Sequence, residues 1–177
     1  MDKLVAGVTA AGAALATDGG ASAAEAIMTT DTVSKTAAAA RDGWSVGGMA
    51  KGAGMLAPAL ATMLVVVTTD AVTSAEDLDA ALREATRTTF DRIDSDGCMS
   101  TNDTVSVMAN GASGVRPALA DFTAGLTEVC VSLARQLLAD AEGADHEIAI
   151  TTLNAASSMP THETSGASRR TSAEMAS

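Results

Sequence analysis

The chain has 177 residues, 47% hydrophobic, 19% charged and only 2% aromatic; this is the composition of one globular domain with an aliphatic core, and it excludes a disordered chain or a second full domain. A net charge of −11 and a pI near 4.4 exclude a nucleic-acid partner, whose phosphates such a surface repels. Cys98, Cys130, His146 and His162 stand at no metal or redox spacing, so reduced thiols are expected, with no metal site and no histidine triad.

The opening residues 1–23 imitate a secretory signal, with Ala21-Ser22-Ala23 as an apparent cleavage site. Leu4, Val5, Val8, Ala11 and Leu15 nevertheless fall at helical spacing and predict an amphipathic helix of the mature protein. Residues 17–24 carry turn chemistry, and 24–32 (AEAIMTTDT) predict a short buried strand. The alanine-rich stretch 36–43 ends in the turn Arg41-Asp42-Gly43. Residues 44–54 (WSVGGMAKGAG) hold too many glycines for a plain strand and predict a tight turn or a close approach to a ligand. After Pro58, residues 62–69 (TMLVVVTT) predict a buried strand, far shorter than the roughly 20 residues needed to cross a bilayer. A soluble, cytoplasmic protein is expected.

Ser74 and Asp77 mark a helix start close to a capping box, followed by the stripe Leu78, Ala81, Leu82 and Ala85. A loop over 92–103, a strand over 104–109 and a turn over 109–114 come next. From Pro117, near the first turn, Leu119, Phe122, Leu126, Val129, Cys130, Leu133 and Leu137 trace one face of a long helix. Residues 146–153 (HEIAITTL) predict a last strand, and the tail from Ser157 has no periodicity and is expected to be disordered. Interspersed strands and helices give an α/β or α+β class, built as a layered sandwich.

Two motifs with chemical meaning fail on spacing. The acidic turn Asp94–Gly97 is not an EF-hand loop, because glycine falls at the fourth position and Val105 stands where the terminal glutamate belongs. The glycine-rich stretch 47–54 has no closing Lys-Ser/Thr pair and is no P-loop. What remains is Thr62 in a buried-looking stretch, with Lys51 upstream, the hydroxyl cluster at 29–32, and Glu142 after the long helix. Each alone has an ordinary reading. Threonine suits strands, lysine is usually solvated, and a glutamate after a helix is unremarkable in itself.

Together the stretches AIMTTDTVSK (26–35), WSVGGMAKGAGMLAPALATML (44–64), TTDA (68–71), FDRIDSDGCMSTNDTV (90–105) and LLADAEGA (137–144) resemble the ornithine acetyltransferase family, also called glutamate N-acetyltransferase, of arginine biosynthesis. The resemblance runs over residues 1–156. It implies an N-terminal-nucleophile-like layered fold and self-cleavage of the Ala61-Thr62 bond, so that 1–61 ends one chain and 62–156 begins the next. Thr62 would then be the nucleophile, with its own α-amine as base. Thr29, Lys51, Thr62 and Glu142 are the substrate-contacting positions it implies. Lys51 would pair with a substrate carboxylate and Glu142 with an ammonium, while Thr29, or equally Thr30 or Thr32, would hydrogen-bond substrate.

The reaction implied is acetyl transfer from N-acetylornithine to glutamate, without a cofactor; some members also accept acetyl-CoA as donor. The two chains left by cleavage would assemble into a higher oligomer. Two pieces of the family pattern are missing: the Thr-Gly oxyanion pair expected ahead of Met1, and the family segments expected after residue 156. The expectation is therefore an internal fragment with a non-family tail over 157–177, and little activity of its own. The contrasting expectations are a non-catalytic remnant and an aminopeptidase-like hydrolase that shares the self-cleavage logic.

Overall fold

The computed structural model describes residues 1–54, 63–94, 102–143, 146, 148–151 and 153. Helix α1 spans Asp2–Ala13 and α2 Gly20–Ala26; β1 spans Lys35–Arg41, β2 Trp44–Lys51 and β3 Leu64–Thr69. Helix α3 covers Ala75–Thr88, followed by one 3-10 turn at Phe90–Arg92, then β4 over Thr104–Ala109 and α4 over Leu119–Ala139.

The strands form one mixed sheet in the order β1-β2-β3-β4. A two-residue turn closes the β1–β2 hairpin, with Arg41 opposite Trp44 and Gly43 at a φ of +78°, a region that disfavours any side chain. β2 and β3 pair antiparallel, whereas β3 and β4 are parallel. A parallel pair needs a long crossover, and α3 with its 3-10 turn supplies it.

Strand alternation sends Ala39, Val46, Ala50, Val65 and Val67 to one face, where they share a single core with the buried sides of α4 and α3. The result is an α/β layered architecture, as expected. Along α4, Phe122, Leu126, Val129, Cys130, Leu133 and Leu137 recur at helical spacing and are buried. Trp44 and Phe122, two of the few aromatics, meet with ring centroids 5.8 Å apart. The opposite sheet face is open among the described residues, with Thr36, Ala38, Ala40, Ser45, Thr68 and Met108 exposed.

Local chemistry sets the element ends. Ser74 accepts a hydrogen bond from the Asp77 N–H and caps α3, an interaction worth about 1 kcal/mol. Pro117 lies directly ahead of the α4 cap at Ala118, near the first turn as expected.

Four expectations are corrected. Residues 24–32 hold no strand: α2 runs to Ala26, and 28–34 are irregular because their carboxylate and hydroxyls engage other segments. Residues 44–51 do form a regular strand. Its Gly48 leaves room for a helix rather than a ligand, since a Cβ there would stand 3.1 Å from Leu133 Cδ1 and 3.1 Å from Val67 Cγ2. The stripe on α1 is exposed, with Leu4 and Val8 near two-thirds accessible, and Leu15 lies past the helix end. The described residues of 146–153 form no strand, and Ile148, Ile150 and Leu153 are exposed, paired with neither edge strand of the sheet. The expected tail from Ser157 lies outside the described residues.

No described helix is long and apolar enough to cross a membrane, and no cluster of three metal-ligating side chains occurs among the described residues. Cys98 and His162 lie outside the described residues. Cys130 is a free thiol in the core, pushed up to about 12 by burial and therefore inert as a nucleophile.

Candidate active site

One end of the sheet collects the starts of β1, β3 and β4, the end of β2 and the C-terminus of α4. The register puts Lys35 beside Ala50 and Lys51 beside Leu64, which in turn faces Thr104. The Met63 N–H donates to Asp103 Oδ1 at 2.7 Å, and the Met63 carbonyl accepts from Thr104 N–H at 2.9 Å. The chain is thus pinned at the first described residue after Thr62. Ala61 and Thr62 themselves lie outside the described residues.

Lys51 is 5% exposed, against the expectation of a solvated side chain. Among the described residues its ammonium forms no hydrogen bond and no ion pair. Glu142 follows α4 directly: its N–H donates to the Ala53 carbonyl at 2.5 Å, which ties the end of α4 to the segment after β2. The Glu142 carboxylate lies over Gly54, where an added Cβ would stand 3.5 Å from Glu142 Oε2. That is ordinary contact, so the acid lies against the Gly54 backbone without depending on the glycine. Thr29 is exposed, and its N–H donates to Asp31 Oδ2 at 3.1 Å; Thr30 is exposed as well.

Beneath these residues sits a buried ionic cluster that the sequence reasoning missed. Lys35 is 0% exposed, and its ammonium reaches Asp31 Oδ1 at 2.7 Å, Asp140 Oδ2 at 2.5 Å and the Val33 carbonyl at 3.3 Å. Asp31 Oδ1 also accepts the Gly52 N–H at 2.6 Å. Asp140 accepts from the Thr32 N–H at 3.0 Å and from the Thr32 hydroxyl. Burial works against the charge on Asp31, but the bonds from Gly52, Lys35 and Thr29 outweigh it and hold its carboxyl below the usual carboxylate range. Burial likewise opposes the charge on Asp140, and Lys35 with Thr32 reverses it, again to a lowered value. The only hint in the sequence was the hydroxyl-rich run around Asp31, since pairing with Asp140 across 105 positions leaves no local pattern.

The structure brings the segments of Thr29, Lys51 and Glu142 to this end of the sheet and starts β3 there after Thr62. A shallow groove of about 750 Å³ between α3 and α4, lined by Glu84, Thr88, Thr123 and Thr127 among others, includes none of these positions. The arrangement offers a cation on a covered stem and an exposed carboxylate, the pair of charges that an amino acid carries in reverse.

Comparison with known proteins agrees with the resemblance read from the sequence. The profile of the ArgJ family matches residues 1–168. The arginine biosynthesis bifunctional protein ArgJ of Streptomyces coelicolor is 61% identical over 156 residues, covering 88% of this chain and 41% of that protein. Its counterpart in Thermobifida fusca is 64% identical over 157 residues, with 89% of this chain and 41% of that protein covered. The Bifidobacterium longum protein of the same name is 52% identical over 160 residues, again 89% and 41%. The chain therefore spans about two-fifths of the length of these curated relatives. With a family match over nearly all its residues and identities above one half, this chain belongs to the ArgJ family.

Proposed function

We propose that this chain carries the nucleophile and the amino-acid-binding residues for acetyl transfer from N-acetylornithine to glutamate in arginine biosynthesis, within a site that in family members of full length draws on further segments. The single observation that carries the reading is Lys51. It is a lysine 5% exposed, without an ionic partner among the described residues, on the strand end paired with Leu64. Its stem is covered, and because no buried side-chain nitrogen among the described residues lacks a partner, its ammonium reaches the surface, where it can meet a ligand anion. Glu142 over Gly54 supplies the opposite charge for a substrate ammonium.

In this reading the Ala61-Thr62 bond is cleaved and Thr62 becomes a chain terminus. Its hydroxyl proton passes to its own α-amine, whose ordinary pKa of about 7.7–8.0 suits a base near neutral pH. The Thr62 Oγ attacks the acetyl carbonyl, the carbon–nitrogen bond to ornithine breaks, and the departing amine takes the proton. Glutamate's amine then attacks the acetyl ester, and Thr62 Oγ leaves and regains its proton. Lys51 holds a substrate carboxylate and Glu142 a substrate ammonium, with Thr29 as a hydrogen-bonding contact. No cofactor enters. The setting is the cytoplasm, and the two chains left by cleavage assemble into a higher oligomer.

The test replaces the matching 156 residues of the Streptomyces coelicolor relative by this chain. The chimera is expected to move acetyl groups from N-acetylornithine to glutamate and to leave amino-acid p-nitroanilides intact. The 177-residue chain alone should show little transfer, because it spans only 41% of that relative's length. Peptidase activity without acetyl transfer would sink the proposal in favour of a hydrolase.

A further inference from the structure

We infer that Lys35, together with Asp31 and Asp140, is a positioning group for the substrate site: the cluster fixes the segments bearing Thr29, Lys51 and Glu142 in one frame. The inference rests on the reading of those three residues as substrate contacts, and adds residues that touch no substrate themselves.

The bonds lead separately to each segment. Asp31 holds the Thr29 N–H on one side and the Gly52 N–H, next to Lys51, on the other. Asp140 stands two residues before Glu142 and holds Thr32 by its N–H and its hydroxyl. Lys35 alone joins the two carboxylates, and its side chain is completely covered. One ammonium against two carboxylates leaves an excess negative charge, and the N–H groups of Thr29, Thr32 and Gly52 absorb it. A buried ionic group is weak evidence of stabilisation, since apolar replacements are often neutral or better. Its distinctive property is directional: each bond sets the position of a particular backbone segment.

The contrast with Lys51 sharpens the assignment. Both lysines are buried, but Lys35 has three acceptors in place while Lys51 has none among the described residues. The satisfied lysine orders the frame, and the other faces the ligand.

The experiment uses amide hydrogen exchange by NMR on the 177-residue chain, with Asp140→Asn, Asp31→Asn and Lys35→Met. In Asp140→Asn, protection of the Gly52 amide, which Asp140 does not touch, should fall about tenfold while the Val46 and Leu133 amides keep theirs. Asp31→Asn should lower Glu142 protection in the same way, and Lys35→Met should lower both. If Lys35→Met fails to fold, the two asparagine variants still decide. Unchanged protection across the cluster, or an equal loss at Val46 and Leu133, overturns the inference.

A second arm titrates L-glutamate and N-acetyl-L-ornithine into the chimera that carries this chain between the flanking segments of the Streptomyces coelicolor relative, with and without Asp140→Asn. Shifts at Thr29, Gly52 and Glu142 in the unaltered chimera, with affinity reduced about tenfold in Asp140→Asn, support the positioning role. Loss of protection across the cluster without any ligand response supports the frame and refutes the substrate reading on which its purpose rests.

Discussion

Lys35 and Lys51 begin with the same chemistry, a long cation drawn inside a protein, and end in opposite situations. The first is tied to Asp31 and Asp140, and both carboxyls lie below their ordinary range. A carboxyl lowered in the folded state adds stability above its unfolded value, and that stability is lost as pH falls through the folded one. The melting midpoint should accordingly stay level from neutral pH down to about 4–5 and decline below. Asp31→Asn should flatten the acid decline, because the carboxyl whose protonation contributes to it is gone. Thermal unfolding at a series of pH values checks this, and an acid limb unchanged in the variant would contradict it. In the sequence, Thr29, Lys51 and Glu142 were legible only through the resemblance. Burial of Lys51 and the role of Lys35 depend on partners far along the chain, which local spacing does not encode.

At the scale of elements, β3, α3, β4 and α4 were readable because each carries its own signal: a β-branched run, a serine cap, or an apolar face at helical spacing. β2 was not. Its glycines suggested irregular backbone, whereas they make a regular strand narrow enough for a helix to lie against it. Gly48 is the clearest case, hemmed by Leu133, Val67 and the Val66 carbonyl at 3.1–3.2 Å from an added Cβ. Gly125 plays the same part on α4, where an added Cβ would stand 3.0 Å from Trp44 Cη2. Gly48→Val should therefore destabilise the domain by about 1–3 kcal/mol through overpacking, despite valine's liking for strands. Urea unfolding measures it, and a gain in stability would show that α4 can shift outward. The expected strands at 24–32 and 146–153 failed for a related reason. A short apolar run becomes a strand only beside a partner edge, and partner edges are not written in the run itself.

For the whole molecule, the fold brings four strand ends and a helix end to one place, and the candidate residues follow from that convergence. The layered α/β class was legible from element order, but which end of the sheet would hold the site was not, because it depends on register. The chain spans 41% of its Streptomyces coelicolor relative, so catalysis is best examined in the chimera with that protein's flanking segments. The central claim is that Thr62 is both the product of chain cleavage and the acetyl carrier. Intact-mass analysis of the chimera incubated with N-acetyl-L-ornithine addresses it most directly. Two pieces are expected, one ending at Ala61 and one beginning at Thr62, the second gaining one acetyl group that peptide mapping places on Thr62. The Thr62→Ala chimera should stay whole and gain none. Cleavage in that variant, or an acetyl group mapped to another residue, would contradict the account.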